Sequence, residues 1–318
     1  MKILANDGMS KSGITALEKA GIEIITDKVP QEELITYINT NKIDVILVRS
    51  ATTVRQDLID ACPSIKIIGR GGVGMDNIDV DYAKSKGINV INTPGASSHS
   101  VAELVFAHFF GMARFLHDSN RNMPLEGETN FNGLKKNYAK GVELKGKTLG
   151  IIGLGRIGKS VAKIGLGLGM KILANDTFDN IQDIEVEFFD GQKLNFKIGN
   201  TPMEELLKHS DFVSLHVPSQ KEYVIGAKEI ELMKQGSFLV NAARGGVVDE
   251  IAIVNALETG KLRGVALDVF EKEPKPEVQL LMNPNISLTP HIGAATVEAQ
   301  DRIGTELAEQ LISFKDKI

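Results

Sequence analysis

Residues 147–176 constrain the fold more than any other part of this sequence. A predicted apolar β-strand leads directly into a loop that carries Gly153, Gly155 and Gly158, and a helix and a second strand are predicted after it. Glycines in such a loop are typical of dinucleotide binding. They allow a tight turn, a close approach of the backbone to a pyrophosphate, and close packing of the helix on the strand.

Asp176 ends the second strand about 20 residues after Gly153. An acid at this place accepts hydrogen bonds from the adenosine ribose hydroxyls and repels a 2′-phosphate. Free N–H groups at the start of the intervening helix attract phosphates. The segment therefore predicts an NAD site. A glycine turn in an ordinary β–α–β unit is the alternative that the pattern alone leaves open.

Length and composition narrow the function classes. The 318 residues are enough for two domains with cores of their own. A net charge of −5 argues against nucleic acid as the main partner, and no apolar run of about 18 residues predicts a membrane span. The first ten residues predict a strand and a turn, so no signal peptide is expected. A lone cysteine, Cys62, excludes an intrachain disulfide and indicates a reducing, cytoplasmic location.

Strands and helices alternate along residues 1–97, which predicts an open parallel α/β sheet. The sequence KILAND occurs at 2–7 and again at 171–176, which fits two similar α/β domains, although chance also explains it. A capping box, Ser100 with Glu103, predicts the start of a nearly all-apolar helix that would be buried between domains or at a subunit interface. The polar residues 119–141 predict a surface connection.

A β-hairpin is predicted at 186–196, on the rim of the second domain. Apolar residues flank Asp190-Gly191, and Asp-Gly favours a two-residue type I′ turn. A final amphipathic helix is predicted at about 296–314.

Three polar residues, Arg244, Glu273 and His291, follow predicted strands, where open α/β sheets bind ligands. Together they suit oxidation of a 2-hydroxy acid. Histidine takes the hydroxyl proton, a carboxylate orients the ring, and arginine pairs with the substrate carboxylate. Taken singly, each has a simpler explanation: a surface ion pair, a solvated loop acid and a structural turn residue. Spacing alone does not bring them together.

Over essentially its whole length the chain resembles the D-isomer-specific 2-hydroxyacid dehydrogenases, and within them a phosphoglycerate-oxidising subgroup. The resemblance is carried by segments 48–52, 69–79, 92–95, 150–158, 216–218, 241–250, 267–274 and 290–296. It implies that Arg244, Glu273 and His291 form the catalytic set, and that Asp268 holds the nicotinamide carboxamide.

The resemblance also implies NAD as the cofactor and a set of residues that bind it. These are Gly153, Gly155, Arg156, Ile157, Gly158, Asp176, Val217, Ala242, Ala243, Arg244, Asp268, His291, Gly293 and Ala294. The implied substrate-binding residues are Arg49, Arg70, Gly72, Arg244 and His291. A phosphorylated acid needs cations besides Arg244, although an ordinary ion pair is an alternative for Arg49 and for Arg70. Val73 replaces a threonine of some relatives, so that cofactor contact is expected from the backbone or not at all.

The implied architecture has two parallel-sheet (Rossmann/flavodoxin-like) domains with the active site in the interdomain cleft. The substrate domain would be residues 1–97 plus 289–318, and the NAD-binding domain 98–288, with hinge crossings near Ser97 and Pro290. A homodimer or homotetramer is expected. Because the sequence ends at Ile318, no serine-sensing regulatory domain is expected.

The function expected from this resemblance is NAD-dependent oxidation of D-3-phosphoglycerate to 3-phosphohydroxypyruvate in serine biosynthesis. A glyoxylate/hydroxypyruvate or D-lactate-type dehydrogenase is the first alternative, and an NADH-sensing binding protein the second. No metal is expected, since His99, His108 and His117 are spaced so that successive rings point to opposite helix faces.

Overall fold

The structure is a computed structural model that describes residues 1–177 and 181–315. The strands are β1 Lys2–Ala5, β2 Glu23–Ile25, β3 Val45–Val48, β4 Ile67–Arg70, β5 Asn89–Asn92, β6 Thr148–Ile152, β7 Lys171–Asn175, β8 Gln182–Glu187, β9 Lys193–Ile198, β10 Phe212–Leu215, β11 Ser237–Asn241, β12 Leu262–Leu267 and β13 Ile286–Leu288. The helices are α1 Lys11–Lys19, α2 Leu34–Asn41, α3 Gln56–Ala61, α4 Val80–Ser85, α5 Ser98–Ala113, α6 Leu116–Glu126, α7 Phe131–Asn137, α8 Arg156–Gly167, α9 Met203–His209, α10 Ala227–Leu232, α11 Glu250–Glu258, α12 Val278–Leu281 and α13 Val297–Phe314. No helix in the described part of the chain is long and apolar enough to cross a membrane.

The chain divides into two compact units. Unit 1 is Met1–Ser100 with Ala294–Ile318, and unit 2 is Val101–Gly293. The division lies close to the predicted boundaries, but the predicted substrate-domain segment 289–318 is split, and residues 289–293 remain in unit 2. The physical reason is that the backbone N–H groups of Ile292 and Gly293 are bonded to Asp268 in unit 2.

Unit 1 is built on a five-stranded sheet in the order β2-β1-β3-β4-β5, and every neighbouring pair is parallel. All residues of the central strand β3 are buried, because apolar side chains pack on both faces of the sheet. The predicted last helix is confirmed as α13, with the Thr296 hydroxyl accepting the N–H of Ala299 as its cap. The predicted parallel sheet of the first half is therefore confirmed.

Unit 2 contains a six-stranded parallel sheet in the order β13-β12-β11-β10-β6-β7. Helix α5 lies in the core of this unit, where the ring of Phe109 meets Phe212 with centroids 5.1 Å apart. Burial of one such side chain contributes roughly 1.5–3 kcal/mol. The predicted capping box is wrong, since α5 already begins at Ser98 and the Ser100 hydroxyl instead lies 2.8 Å from that of Thr296.

The polar segment 119–141 lies at the surface, as predicted, and most of it is helical, in α6 and α7. These helices bury almost no apolar surface: in α7 only Leu134 is buried, and in α6 no residue is. Polar bonds join them instead: the Tyr138 hydroxyl donates to Asp118 at 2.7 Å and accepts from Asn122 at 2.8 Å. Without an apolar stripe, the sequence carried no helical period to detect.

The predicted hairpin is confirmed as the antiparallel pair β8 and β9. Its turn differs from the predicted two-residue type, because the N–H of Phe188 bonds to the carbonyl of Gln192 and three residues lie between them. Gly191 supplies the residue with positive φ, at 83°, that such a loop requires.

The two KILAND segments have matching local contacts. Asn6 and Asn175 each donate a side-chain N–H to a backbone carbonyl of a neighbouring segment. Asp7 and Asp176 each accept a backbone N–H from the loop that follows an adjacent strand. In both units, this short sequence therefore ties a strand-end loop to the sheet.

Candidate active site

The glycine loop lies between β6 and α8, and its close approaches explain its glycines. Gly153 has a φ of 91°, and a Cβ there would lie 2.5 Å from the carbonyl oxygen of His216. A Cβ on Gly158 would lie 2.0 Å from the carbonyl oxygen of Gly153. Gly155, in contrast, has none of the described residues within 4 Å of its Cβ position, so the space above it can receive a ligand. Helix α8 then begins at Arg156, with its first N–H groups next to that space.

Asp176 follows β7 and holds the glycine loop directly. Its Oδ2 accepts the N–H of Leu154 at 2.6 Å, and its Oδ1 accepts the N–H of Thr177 at 2.7 Å. Its own N–H donates to the Asn200 side chain at 2.9 Å. The carboxylate therefore has both a structural bond to the loop and lone pairs left for ribose hydroxyls.

A cavity of about 370 Å³ extends from the glycine loop past Asp176. Its lining residues are Leu154, Gly155, Arg156, Lys159, Ala174, Asp176, Gln182, Ile198, Gly199 and Asn200. The far wall comes from the base of the β8–β9 hairpin, where Lys159 of α8 donates to the Gln182 side chain at 2.8 Å. The volume and mixed lining suit a small organic ligand such as an adenosine group.

His291 and Glu273 are joined by a hydrogen bond. Nδ1 of His291 lies 2.9 Å from Oε2 of Glu273, and Oε1 of Glu273 accepts the N–H of Phe270 at 3.0 Å. Because the carboxylate can only accept, Nδ1 carries the proton and Nε2 of the neutral ring is left with its lone pair. The arrangement produces an oriented base whose charged form has a counter-ion next to it.

Asp268 supports the loop that carries this histidine. The side chain is buried, with Oδ1 accepting the Thr289 hydroxyl at 2.6 Å and the N–H of Ile292 at 2.8 Å, and Oδ2 accepting the N–H of Gly293 at 2.9 Å. His291 itself has a φ of 54°, a left-handed conformation that costs free energy for a residue with a side chain. The bonds on either side of it hold the loop in that conformation.

Arg244 follows β11 and is placed by a buried asparagine. Asn241 accepts the N–H of Ala243 at 3.1 Å and donates to the carbonyl of Arg244 at 2.9 Å, which closes the turn after the strand. The Arg244 Nη1 in turn donates to the carbonyl of Ala243 at 2.7 Å. A rigid turn of this kind limits the directions in which the guanidinium can point.

The sheet order brings most of the predicted residues of unit 2 to one edge. Parallel strands end on the same side, so Asp176, Gly153, Val217, Arg244, Asp268 and His291 all follow carboxyl ends of the sheet. Ala242 and Ala243 are buried beneath this edge, and Ile157 packs on the core beside it. Gly293 approaches Asp268 so closely that a Cβ would lie 3.1 Å from its carboxylate, whereas Ala294 belongs to unit 1.

In unit 1, Arg49 and Arg70 lie at the carboxyl ends of the adjacent strands β3 and β4. Val48, the residue before Arg49, is the register partner of Arg70. The Arg70 guanidinium folds back over Gly72, where a Cβ would lie 1.6 Å from Nη1. Within the described residues, the Arg49 guanidinium forms no ion pair. Two cations therefore lie side by side at this sheet edge.

A polar network fixes the backbone that carries Arg49. Asp7 accepts the N–H of Arg49 at 2.7 Å and the N–H of Thr52 at 3.1 Å, and it pairs with Lys28. Burial opposes ionisation of Asp7, but these hydrogen bonds outweigh it and hold the pKa of the carboxyl below its ordinary value. From the other side, the Asn77 amide donates to the Arg49 carbonyl at 2.7 Å.

The sequence interpretation missed several residues that support the site. Asn241 directly precedes the predicted site residue Ala242, and Thr289 lies two residues before His291. A polar residue at the end of an apolar strand was the signal that could have indicated them. Lys159 and Gln182 had no such signal, because their contact depends on where the hairpin packs.

Comparison with known proteins shows a family for the chain. The family model of the D-isomer specific 2-hydroxyacid dehydrogenase, NAD binding domain, matches residues 106–293. The chain is 42% identical to a hydroxypyruvate reductase of Thermotoga maritima, with 99% of this chain and 98% of that protein covered. It is also 42% identical to a D-3-phosphoglycerate dehydrogenase of Methanocaldococcus jannaschii, with 98% of this chain covered but only 57% of that protein.

The chain thus spans a little over half the length of the D-3-phosphoglycerate dehydrogenase that it matches. Among solved structures, a D-lactate dehydrogenase from Aquifex aeolicus, complexed with NAD and lactic acid, matches 100% of this chain and 96% of its own. The identity is 31% and the TM-score is 0.76.

Proposed function

Because the chain belongs to the D-isomer-specific 2-hydroxyacid dehydrogenases, we propose that it oxidises D-3-phosphoglycerate with NAD, or reduces 3-phosphohydroxypyruvate in the reverse direction. The proposed proton transfer is supported by the hydrogen bond between His291 and Glu273. The proposed phosphorylated substrate is supported by the two cations, Arg49 and Arg70, at neighbouring strand ends.

In the proposed reaction, Nε2 of His291 takes the proton of the C2 hydroxyl. The positive charge that develops on the ring is stabilised by the Glu273 carboxylate at 2.9 Å from Nδ1. Arg244 pairs with the substrate carboxylate, for which a planar guanidinium is the best match. In the reverse direction the same imidazolium returns the proton to the forming alkoxide.

NAD is the cofactor, since the matched family model is that of its binding domain. It supplies the acceptor for the hydride that leaves C2. The residues fit its two ends: the open space above Gly155 and the start of α8 suit a pyrophosphate, and the cavity at Asp176 suits the adenosine. Asp268 keeps a lone pair on Oδ2 for an amide donor such as the nicotinamide carboxamide.

The phosphate of the substrate is assigned to Arg49 and Arg70. Arginine binds phosphate through two parallel N–H bonds, which a lysine cannot do. Asp7 and Asn77 hold the Arg49 backbone from two sides, so the guanidinium starts from a fixed point. Gly72 is proposed to contribute through its backbone, where Arg70 lies over it.

Reduction of hydroxypyruvate is the second candidate. It is favoured by the hydroxypyruvate reductase of Thermotoga maritima, which is matched at 42% identity over 98% of its length. The two candidate substrates differ only by the phosphate, so the contribution of Arg49 separates them.

The test is a comparison of 3-phosphohydroxypyruvate, hydroxypyruvate, glyoxylate and pyruvate as substrates for NADH oxidation, in the native protein and in Arg49→Ala. We expect Arg49→Ala to raise KM for 3-phosphohydroxypyruvate at least ~10-fold, the loss of one charge-assisted contact, with little change for hydroxypyruvate. Lys84→Ala, which removes an exposed cation of α4, serves as the control. Equal losses for both substrates, or a native preference for hydroxypyruvate, would favour the second candidate.

We also propose a homo-oligomer, as expected for this family. Large apolar side chains of α5–α7 are exposed, among them Leu116, Leu125 and Phe131. Exposed apolar side chains of this size are typical of subunit contacts. Sedimentation of the native protein beside Leu125→Glu tests this: a lower mass for the variant is expected, and a native monomer would contradict it.

A further inference from the structure

His108 of α5 has polar partners on both ring nitrogens, although its helix is otherwise almost entirely apolar. Nδ1 lies 2.9 Å from the Ser287 hydroxyl, and Nε2 lies 3.1 Å from the Thr289 hydroxyl. The side chain is only 4% exposed. A buried ring with two specific partners is a different feature from the apolar packing around it.

The directions of these hydrogen bonds follow from Asp268. Its carboxylate can only accept, so the Thr289 hydroxyl donates its single proton to Oδ1 at 2.6 Å. The same hydroxyl must then accept from Nε2 of His108, which therefore carries a proton. Nδ1 is left to accept from Ser287 in the neutral ring. Burial lowers the pKa of His108, as does the nearby His117, and the charge of Asp268 opposes them, so the neutral form is favoured.

The chain of bonds ends at the loop that carries the base. Asp268 accepts hydrogen bonds from Thr289 and Ile292 on one carboxylate oxygen and from Gly293 on the other. His291, with its left-handed φ, lies between Thr289 and Ile292 in the chain. If Thr289 had no donor to fix its rotamer, its hydroxyl could turn away from Oδ1, and only the N–H groups of Ile292 and Gly293 would still hold the carboxylate. The Asp268 oxygen proposed for the nicotinamide carboxamide would then be held less firmly in its direction.

We propose that His108 is a positioning residue for the nicotinamide end of the site, acting through the Thr289 hydroxyl and the Asp268 carboxylate on the loop that carries His291. The inference rests on the proposed function for its kinetic consequence, but its structural consequence stands apart from any substrate.

A matched pair of substitutions separates the two ring nitrogens. His108→Gln keeps an N–H donor at the position of Nε2 and so retains the bond to Thr289. His108→Asn keeps only a group near Nδ1 and loses that bond. Both remove the ring, so a merely structural role would affect them alike in thermal stability.

The first measurement is amide hydrogen exchange in the cofactor-free protein. We expect the N–H groups of Ile292 and Gly293, which donate to Asp268, to exchange about 10-fold faster in His108→Asn and within ~2-fold of native in His108→Gln. This result does not depend on which substrate the enzyme uses. Equal exchange in both variants would overturn the proposal.

The second measurement is the KM for NADH and kcat. His108→Asn should raise the KM for NADH and lower kcat, together about 10-fold in kcat/KM, with the KM of the 2-oxo acid unchanged. Thr289→Val should give a similar loss, and the double variant should lose no more than either single one, because both break the same link. Thr259→Val, which removes an exposed hydroxyl at the end of α11, is the control and should stay near native. Losses that multiply in the double variant would refute the link through Thr289. If no 2-oxo acid is reduced by the native protein, the proposed function fails, and the exchange measurement still decides the role of His108.

Discussion

Glu273 bonds through both carboxylate oxygens, one to the imidazole Nδ1 of His291 at 2.9 Å and the other to the backbone N–H of Phe270 at 3.0 Å. The second bond prevents the carboxylate from rotating away from the ring. The imidazole is therefore held in one tautomer by a group that is itself held by the backbone, which is the arrangement a general base requires.

Replacing Glu273 by glutamine tests whether both hydrogen bonds of this carboxylate are needed. Glutamine has one acceptor oxygen, so it can serve Phe270 or His291 but not both, and it provides no charge opposite the imidazolium. We expect kcat to fall roughly 10²-fold with the KM for NADH unchanged, measured by steady-state kinetics. Glu277→Gln, an exposed carboxylate paired with Lys272, is the control. Near-native turnover in Glu273→Gln would show that the pair is not catalytic.

The glycine loop makes a second prediction, in which two alanines behave differently. Gly158→Ala places a Cβ 2.0 Å from the Gly153 carbonyl and should destabilise the protein by about 1–3 kcal/mol, measured by urea unfolding. The Cβ of Gly155→Ala meets no atom of residues 1–177 or 181–315, so the stability of this variant should stay near native while NADH binding weakens. Unchanged NADH affinity in Gly155→Ala would argue against a pyrophosphate above this residue.

Asp7 is expected to affect the substrate and not the cofactor. Asp7→Asn keeps a single acceptor oxygen where the carboxylate holds two backbone N–H groups and Lys28, so the Arg49 segment should loosen. The KM for the phosphorylated substrate should rise several-fold while the KM for NADH stays constant. Asp27→Asn, which changes the exposed acid that precedes Lys28 in the sequence, is the control. An equal rise in the KM for NADH and the KM for the phosphorylated substrate would contradict a role for Asp7 in positioning Arg49.

The same substitution has a pH signature. The pKa of Asp7 is below its ordinary value of 3.8 in the folded chain, so its contribution to stability is complete above that value and is lost as the pH falls through the folded pKa. Urea unfolding at pH 7 and pH 3 should therefore show a smaller acid loss in Asp7→Asn than in the native protein. If the variant and the native protein lost the same free energy of unfolding between pH 7 and pH 3, other groups would govern stability in acid.

His216 makes a further pH prediction with the same sign of slope. Burial of the ring lowers its pKa from 6.5 to about 3, and its buried Nδ1 has no hydrogen-bond partner in the part of the chain that the structure describes. The unfolded chain takes up a proton below pH 6.5 and the folded chain does not, so stability falls as the pH drops from 6.5 towards 3. The slope from this group is at most about 1.4 kcal/mol per pH unit.

In His216→Gln, which can still reach the Ser214 hydroxyl, the free energy of unfolding should change less between pH 6.5 and pH 4 than in the native protein. His209→Gln, an exposed histidine paired with Glu205, is the control. Identical pH profiles for His216→Gln and the native protein would show that the folded ring titrates normally.

Local patterns explain why much of this site was predictable. The glycine loop, its flanking strand and Asp176 lie within one short segment, where each residue type has a local mechanical reason. Even there, the apolar pattern predicts a helix from Ser160, whereas α8 begins at Arg156, because Gly158 in its first turn weakens the helical signal. The parallel sheets were predictable because buried strands form continuous apolar runs.

The supporting contacts were not predictable, because they join distant parts of the chain. His108 meets Ser287 and Thr289 across 179 and 181 residues, and no local pattern records such a contact. In the sequence, His108 was assessed only as one member of a poor metal-binding set. Helices α6 and α7 were not predicted for a different reason. A helix that buries no apolar stripe gives the sequence no helical repeat of apolar residues.

The bond from Leu154 to Asp176 limits how the cofactor preference could be redesigned. A protein engineer seeking an enzyme that uses NADP would first replace this acid with a small neutral residue. Here that change would also release the loop that must receive the pyrophosphate of either dinucleotide. A workable design needs a neutral acceptor at 176, such as asparagine, and can recruit Arg156 and Lys159, which already line the same cavity, to meet the added phosphate.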